Sequence, residues 1–173
     1  DTFRKAYDDL ASSLPSNAGR SRVEIDTLDG FITTNIIRPH GLRTMKSTRA
    51  PFLVTGNESF LEGFKFRTSA FPQPITALKL VFANDGSELF YHSFNDQVEQ
   101  IDTAAARSLI ARLARTGAYT HDLGRYWTYR VLKERPELLA ALARRYPHIL
   151  IDEAQDIGSV HQAILELLIG AGS

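Results

Sequence analysis

Residues 148–156, His-Ile-Leu-Ile-Asp-Glu-Ala-Gln-Asp, constrain this chain more than any other stretch. A short continuous apolar run has the form of a strand covered on both faces. Here it is followed at once by two acids, Asp152 and Glu153. Adjacent carboxylates repel, and burial penalises their charged forms. The pair is therefore a cost to stability that chemistry can justify. Open α/β sheets bind ligands at the carboxyl edge of their strands. One carboxylate there can hold Mg²⁺, usually through water. Its neighbour, facing the other side of the strand, can take a proton from a water attacking a phosphate. A second reading fits the same acids: they cap the helix that follows.

The chain around this stretch alternates between helix and strand patterns. Phe3, Ala6, Tyr7, Leu10 and Leu14 fall at helical spacing. Val23, Ile25 and Thr27 alternate as in a short strand. Phe31, Ile32 and Ile36 predict a helix that Pro39 should stop. Periodicity is weak over residues 40–75, which read as loops and short elements. The β-rich runs at 75–82 and 88–94 flank Asn84-Asp85-Gly86 and predict a hairpin. Asp102 can cap a helix that Gly117 closes, Thr120 or Asp122 can start the next, and Pro136 opens a third. Ser159 and Gln162 have the spacing of a capping box for the last helix. The pattern is that of an α/β domain interrupted by an excursion.

Bulk composition narrows the chemistry. The 173 residues carry 20 basic and 20 acidic side chains, so any nucleic-acid surface must be local. With no cysteine, thiol nucleophiles, disulfides and zinc–thiolate sites are excluded. The five histidines never pair at metal-ligand spacing. No apolar run reaches membrane-spanning length and no signal peptide is visible, so a cytoplasmic protein is expected. Arginines on the helices after Asp102 can track phosphates, although a solvated helix face explains them as well. Phe60, Phe64, Phe66 and Phe71 fit core packing better than base stacking.

The Asp152-Glu153-Ala154-Gln155-Asp156 run resembles the UvrD/Rep family of superfamily 1 DNA helicases, whose Walker B motif reads Asp-Glu-x-Gln-Asp after an apolar strand. Val23–Phe31 resembles the family's motif Ib, and Thr2–Leu10 the end of motif Ia, anchored on Lys5 and Ala6. Residues 117–156 resemble its helical approach to the acids. The resemblance implies an α/β fold: a partial P-loop RecA-like domain with an inserted, mostly helical subdomain containing a β-hairpin. Residues 1–37 and 137–173 would belong to the ATPase domain, and 40–136 to the insertion and helical return.

The resemblance also implies ATP and Mg²⁺ as cofactors and single-stranded DNA as partner. Asp152 would hold the metal, Glu153 would be the general base, and Gln155 would sense the γ-phosphate. Lys5 and Thr27 would lie on the DNA side, while Asp156 orders the turn. Asp29 departs from the family, many of whose members have His there, and Arg4 stands where Asn is common. No Gly-x-x-x-x-Gly-Lys-Ser/Thr occurs, so that phosphate loop is expected before Asp1, and these residues alone should not hydrolyse ATP. A strand left without its neighbour predicts self-association of the isolated segment. The competing expectation is a non-catalytic module that kept the fold and lost the motor.

Overall fold

The computed structural model describes Lys5, Asp9, Ser12, Glu24 and residues 26–83, 85–152 and 154–172. Lys5, Asp9 and Ser12 are helical, as the spacing of the first segment predicts. Val23 and Ile25 lie outside the described residues, and Glu24, Asp26 and Thr27 belong to no strand.

Helix α1 has three parts: α-helical Leu28–Ile32, π-helical Thr33–Ile37 and α-helical Arg38–Thr44. Thr27 caps it, its hydroxyl accepting the Gly30 N–H at 3.0 Å. Gly30 is required there, since a Cβ would collide with the Asp26 carboxylate. The helix does not stop at Pro39. The Arg38 N–H reaches back five residues to the Thr33 carbonyl. That wide turn opens the coil where a proline ring would otherwise press on the carbonyl four residues back, and Pro39 becomes an opening residue of the next α-helical turn.

The middle of the chain forms short pieces, as its weak periodicity predicts. Strand β1 (Phe52–Leu53) pairs in parallel with β7 (Ala118–Tyr119), and β2 (Lys65–Phe66) pairs antiparallel with β3 (Gln73–Pro74). Strands β4 (Lys79–Phe82), β5 (Glu88–Phe94) and β6 (Gln97–Ile101) form an antiparallel sheet in that order. The expected β4–β5 hairpin is present, with Phe82 opposite Glu88 and Gly86 at φ +78°. A second hairpin, unforeseen, turns at Asn95 and Asp96, both with positive φ, the geometry of a type I′ turn.

Helices α2 (Thr103–Arg115), α3 (His121–Glu134) and α4 (Pro136–Arg145) follow. Asp102 accepts the Ala105 N–H at 2.8 Å and Thr120 accepts the Leu123 N–H at 3.3 Å, as their cap positions predict. Gly117 ends α2 at φ +83°, with the Ala50 carbonyl 3.0 Å from where a Cβ would sit. The last helix, α5 (Ser159–Gly170), lies against α3, α4 and β4, and α1 lies against α3. One buried apolar cluster runs through all of them, including Ile36, Leu113, Leu123, Val131 and Ile164. Burying each such side chain contributes about 1.5–3 kcal/mol relative to exposure.

Two expectations near the acids are corrected. Residues 148–152 form no strand, and Ile149, Leu150 and Ile151 are exposed, Leu150 at 89%. A strand needs a partner for its backbone groups, and no strand among the described residues lies beside this run. The capping box at Ser159 is also absent: Gly158 is the N-cap, with no side-chain cap. Ser159 Oγ instead accepts the Phe82 N–H at 2.9 Å, and Gln162 donates to Glu166. None of the described helices is long and apolar enough to cross a membrane.

Candidate functional site

A cleft of about 430 Å³ opens between the start of α1 and the segment that carries the acids. Its walls come from both ends of the chain. Glu24, Asp26, Thr27 and Phe31 face Tyr146, Ile149–Asp152, Asp156 and His161. The floor is tied by polar and aromatic contacts. Tyr146 donates its hydroxyl to Glu24 Oε2 at 2.6 Å, Asn35 Nδ2 donates to Glu24 Oε1 at 3.2 Å, and the Phe31 and Tyr146 rings meet edge to face at 5.1 Å.

The structure thus brings Thr27 and Asp152 to one cleft, although they are far apart in sequence. Asp152 is exposed and precedes a 3₁₀ turn, Ala154–Asp156, that also exposes Gln155 and Asp156. Glu153 lies outside the described residues. Lys5 is exposed. Thr27 is already engaged as the helix cap, its oxygen accepting from Gly30.

Asp152 and Asp156 offer hard oxygen donors on one turn, at the rim of a space open to a ligand. Among the described residues no three His, Cys, Asp or Glu side chains gather as a metal cage. Mg²⁺ needs none: it keeps several waters and is held by one or two carboxylates plus substrate phosphates. The donor set fits that ion.

Behind the cleft lies a charged cluster that no sequence pattern announces. Asp29, in the first turn of α1, accepts two hydrogen bonds from Arg125, Nε to Oδ1 at 2.9 Å and Nη2 to Oδ2 at 2.6 Å. His161 Nε2 lies 2.9 Å from Asp29 Oδ1. Burial pushes the Asp29 carboxyl up, but the hydrogen bonds from Arg125 and His161 and their charges outweigh it and hold the group well below the usual carboxylate range. Arg125 also donates to Asp122 Oδ1 at 3.1 Å, and Lys79 Nζ donates to Asp122 Oδ2 at 2.9 Å. Paired opposite charges so far apart in sequence leave no periodic signal; the one available hint is Asp29 itself, an acid where the resembled family commonly has His.

The other residues considered for DNA take structural partners. Arg107 pairs with Glu88, Arg130 with Glu134, and Arg112 reaches the Gly63 carbonyl while covering the Phe64 ring. Phe66 is buried and Phe60 stacks near Phe52 and Phe64, whereas Phe71 is exposed.

The sequence profile of the UvrD/REP helicase N-terminal domain matches residues 72–173, more than half of the chain and all of the segment carrying the acids. The chain belongs to that family. Within the UvrD/REP family, a relative from Natranaerobius thermophilus, an ATP-dependent helicase/nuclease subunit, is 42% identical over 48 residues. That match covers 28% of this chain and 4% of the relative, so the chain spans a small part of that protein's length. No solved structure matches.

Proposed function

We propose that this chain is the part of an ATP-driven DNA motor that carries its hydrolytic acids, with the cleft between Thr27 and Asp152 as the place where nucleotide and strand-binding sides meet. The observation that carries the reading is the position of the Asp152–Asp156 turn on the same cleft as the start of α1. Membership of the UvrD/REP helicase N-terminal domain family supports it. In this reading residues 1–37 and 137–173 form the ATPase part and 40–136 the insertion, and the protein works in the cytoplasm.

Asp152 would hold Mg²⁺ on the nucleotide phosphates. Bound there, the ion neutralises charge developing on the transferred phosphoryl group. Glu153 takes the proton of the attacking water, Gln155 contacts the γ-phosphate, and Lys5 and Thr27 face single-stranded DNA. Asp156 orders the turn between acids and helix. The phosphate loop comes from elsewhere in the protein, and these residues without it are inactive.

The test is a pair of variants in the full-length protein. Glu153→Gln keeps the shape and removes the base. It should slow DNA-stimulated ATP hydrolysis by roughly 10² to 10⁴-fold while nucleotide and DNA binding persist. Asp152→Ala should also weaken Mg²⁺-dependent nucleotide binding. Turnover near wild type in Glu153→Gln would refute the reading and favour acids that merely order the turn before α5.

A further inference from the structure

The helix that follows the acids is held to the rest of the molecule by a closed ring of polar contacts. Two links leave α5 and both return to β4. At its first residue, Ser159 Oγ accepts the Phe82 N–H at 2.9 Å. Two residues later, His161 Nε2 meets Asp29 Oδ1 at 2.9 Å. From Asp29 the ring runs to Arg125 at 2.6 Å, from Arg125 to Asp122 at 3.1 Å, and from Asp122 to Lys79 at 2.9 Å. Phe82 and Lys79 are the two ends of β4.

We propose that Asp29, Arg125 and His161 are positioning residues that lock α5, and through it the Asp152–Asp156 turn, to both the strand-binding end of α1 and the hairpin sheet β4–β6. The inference rests on the functional reading above and adds residues to which that reading gives no role. None of the three would touch nucleotide or DNA.

Three features support a positioning role over a merely stabilising one. Asp29 stands two residues after Thr27, so its carboxylate reports directly on the cap of α1. Its Arg125 partner binds through two nitrogens, which fixes orientation as well as distance. The His161 side chain is largely buried, 12% exposed, so its ring is held by packing as well as by the bond. A displacement of β4 or of the α1 start must therefore either move α5 or break a charge-assisted bond.

The experiment uses the full-length protein, with Asp29→Asn and His161→Phe as breaking variants and Asp29→Glu as the conservative rescue. Two quantities are read. One is backbone hydrogen exchange over residues 154–165 with and without oligo(dT). The other is the ratio of ATP turnover with oligo(dT) to turnover without it. Wild type should show oligo(dT)-dependent protection over 154–165, and both breaking variants should lose it. The turnover ratio should fall roughly tenfold in them, within the usual range of coupling between sites, and Asp29→Glu should recover most of it. A structural role alone would lower stability and leave the ratio unchanged. If Asp29→Asn does not fold, His161→Phe decides. Unaltered exchange and an unaltered ratio in the folded variants would overturn the inference, as would a wild type whose exchange ignores oligo(dT). A wild type that hydrolyses no ATP would overturn the functional reading instead, and the exchange measurement would still decide this one.

Discussion

His161 Nε2 and Asp29 Oδ1 lie 2.9 Å apart across 132 residues of chain. The bond joins the first turn of α1 to the first turn of α5, the two helices that border the candidate cleft. The Asp29 carboxylate sits where a helix N-terminus favours negative charge. The same carboxylate answers Arg125 on α3, so three helices converge on one side chain.

The first prediction concerns acid. Asp29 has a folded-state pKa held far below its unfolded value of about 3.9. Such a group contributes stability above the unfolded pKa and loses that contribution as pH falls toward the folded one. Asp29→Asn should therefore cost most at neutral pH and progressively less below about pH 4. Urea denaturation of both proteins across roughly pH 3 to 7 checks this, spanning the unfolded carboxylate pKa; a penalty that grows on acidification would contradict the assigned pairing.

Arg125→Lys should behave as a damaging change despite the retained charge. A lysine cannot reproduce the Nε and Nη2 pair on Asp29. Loss of a hydrogen bond to a charged group costs about 1.5–3 kcal/mol. Chemical denaturation at neutral pH should show a lower midpoint with an unchanged slope.

Gly117→Ala should destabilise by about 1–3 kcal/mol, the usual cost of a side chain forced into a sparsely populated backbone region. The residue holds φ +83°, and a new Cβ would press on the Ala50 carbonyl beside the β1–β7 pair. Thermal melting of this single variant suffices, and an unchanged midpoint would show that the turn relaxes.

The exposed run Ile149–Ile151 should drive association of the 173-residue chain. Consecutive apolar residues facing solvent are a template for pairing with another copy. Light scattering should give a mass that rises with concentration, and Leu150→Lys should lower it. A monomer at high concentration in both would contradict the expectation.

Local signals in the sequence are legible where local forces act alone. Asp102, Thr120 and Pro136 sit at the starts of α2, α3 and α4 because caps and a missing N–H are properties of a few adjacent residues. The β4–β5 hairpin is legible for the same reason. Ser159 misleads because its hydroxyl serves Phe82, 77 residues away, instead of its own helix. The run at 149–151 misleads because an apolar pattern records what a segment would bury, and a sheet forms only where a neighbouring strand is present. Of the candidate site, the acids and Thr27 are legible through their motifs. Arg125 and His161 are not, since a charge pair across the fold has no period.

The wide turn at Thr33–Ile37 carries a further consequence for how this protein compares with its kin. An i→i+5 turn spends one more residue than an α-helix needs for the same rise. Relatives whose helix runs straight through this place should therefore be one residue shorter between Thr33 and Pro39, and a correct alignment across α1 would open a single-position gap there. Placing that gap elsewhere would shift Ile36 and Ile37, both fully buried, onto the solvent side of the counterpart helix.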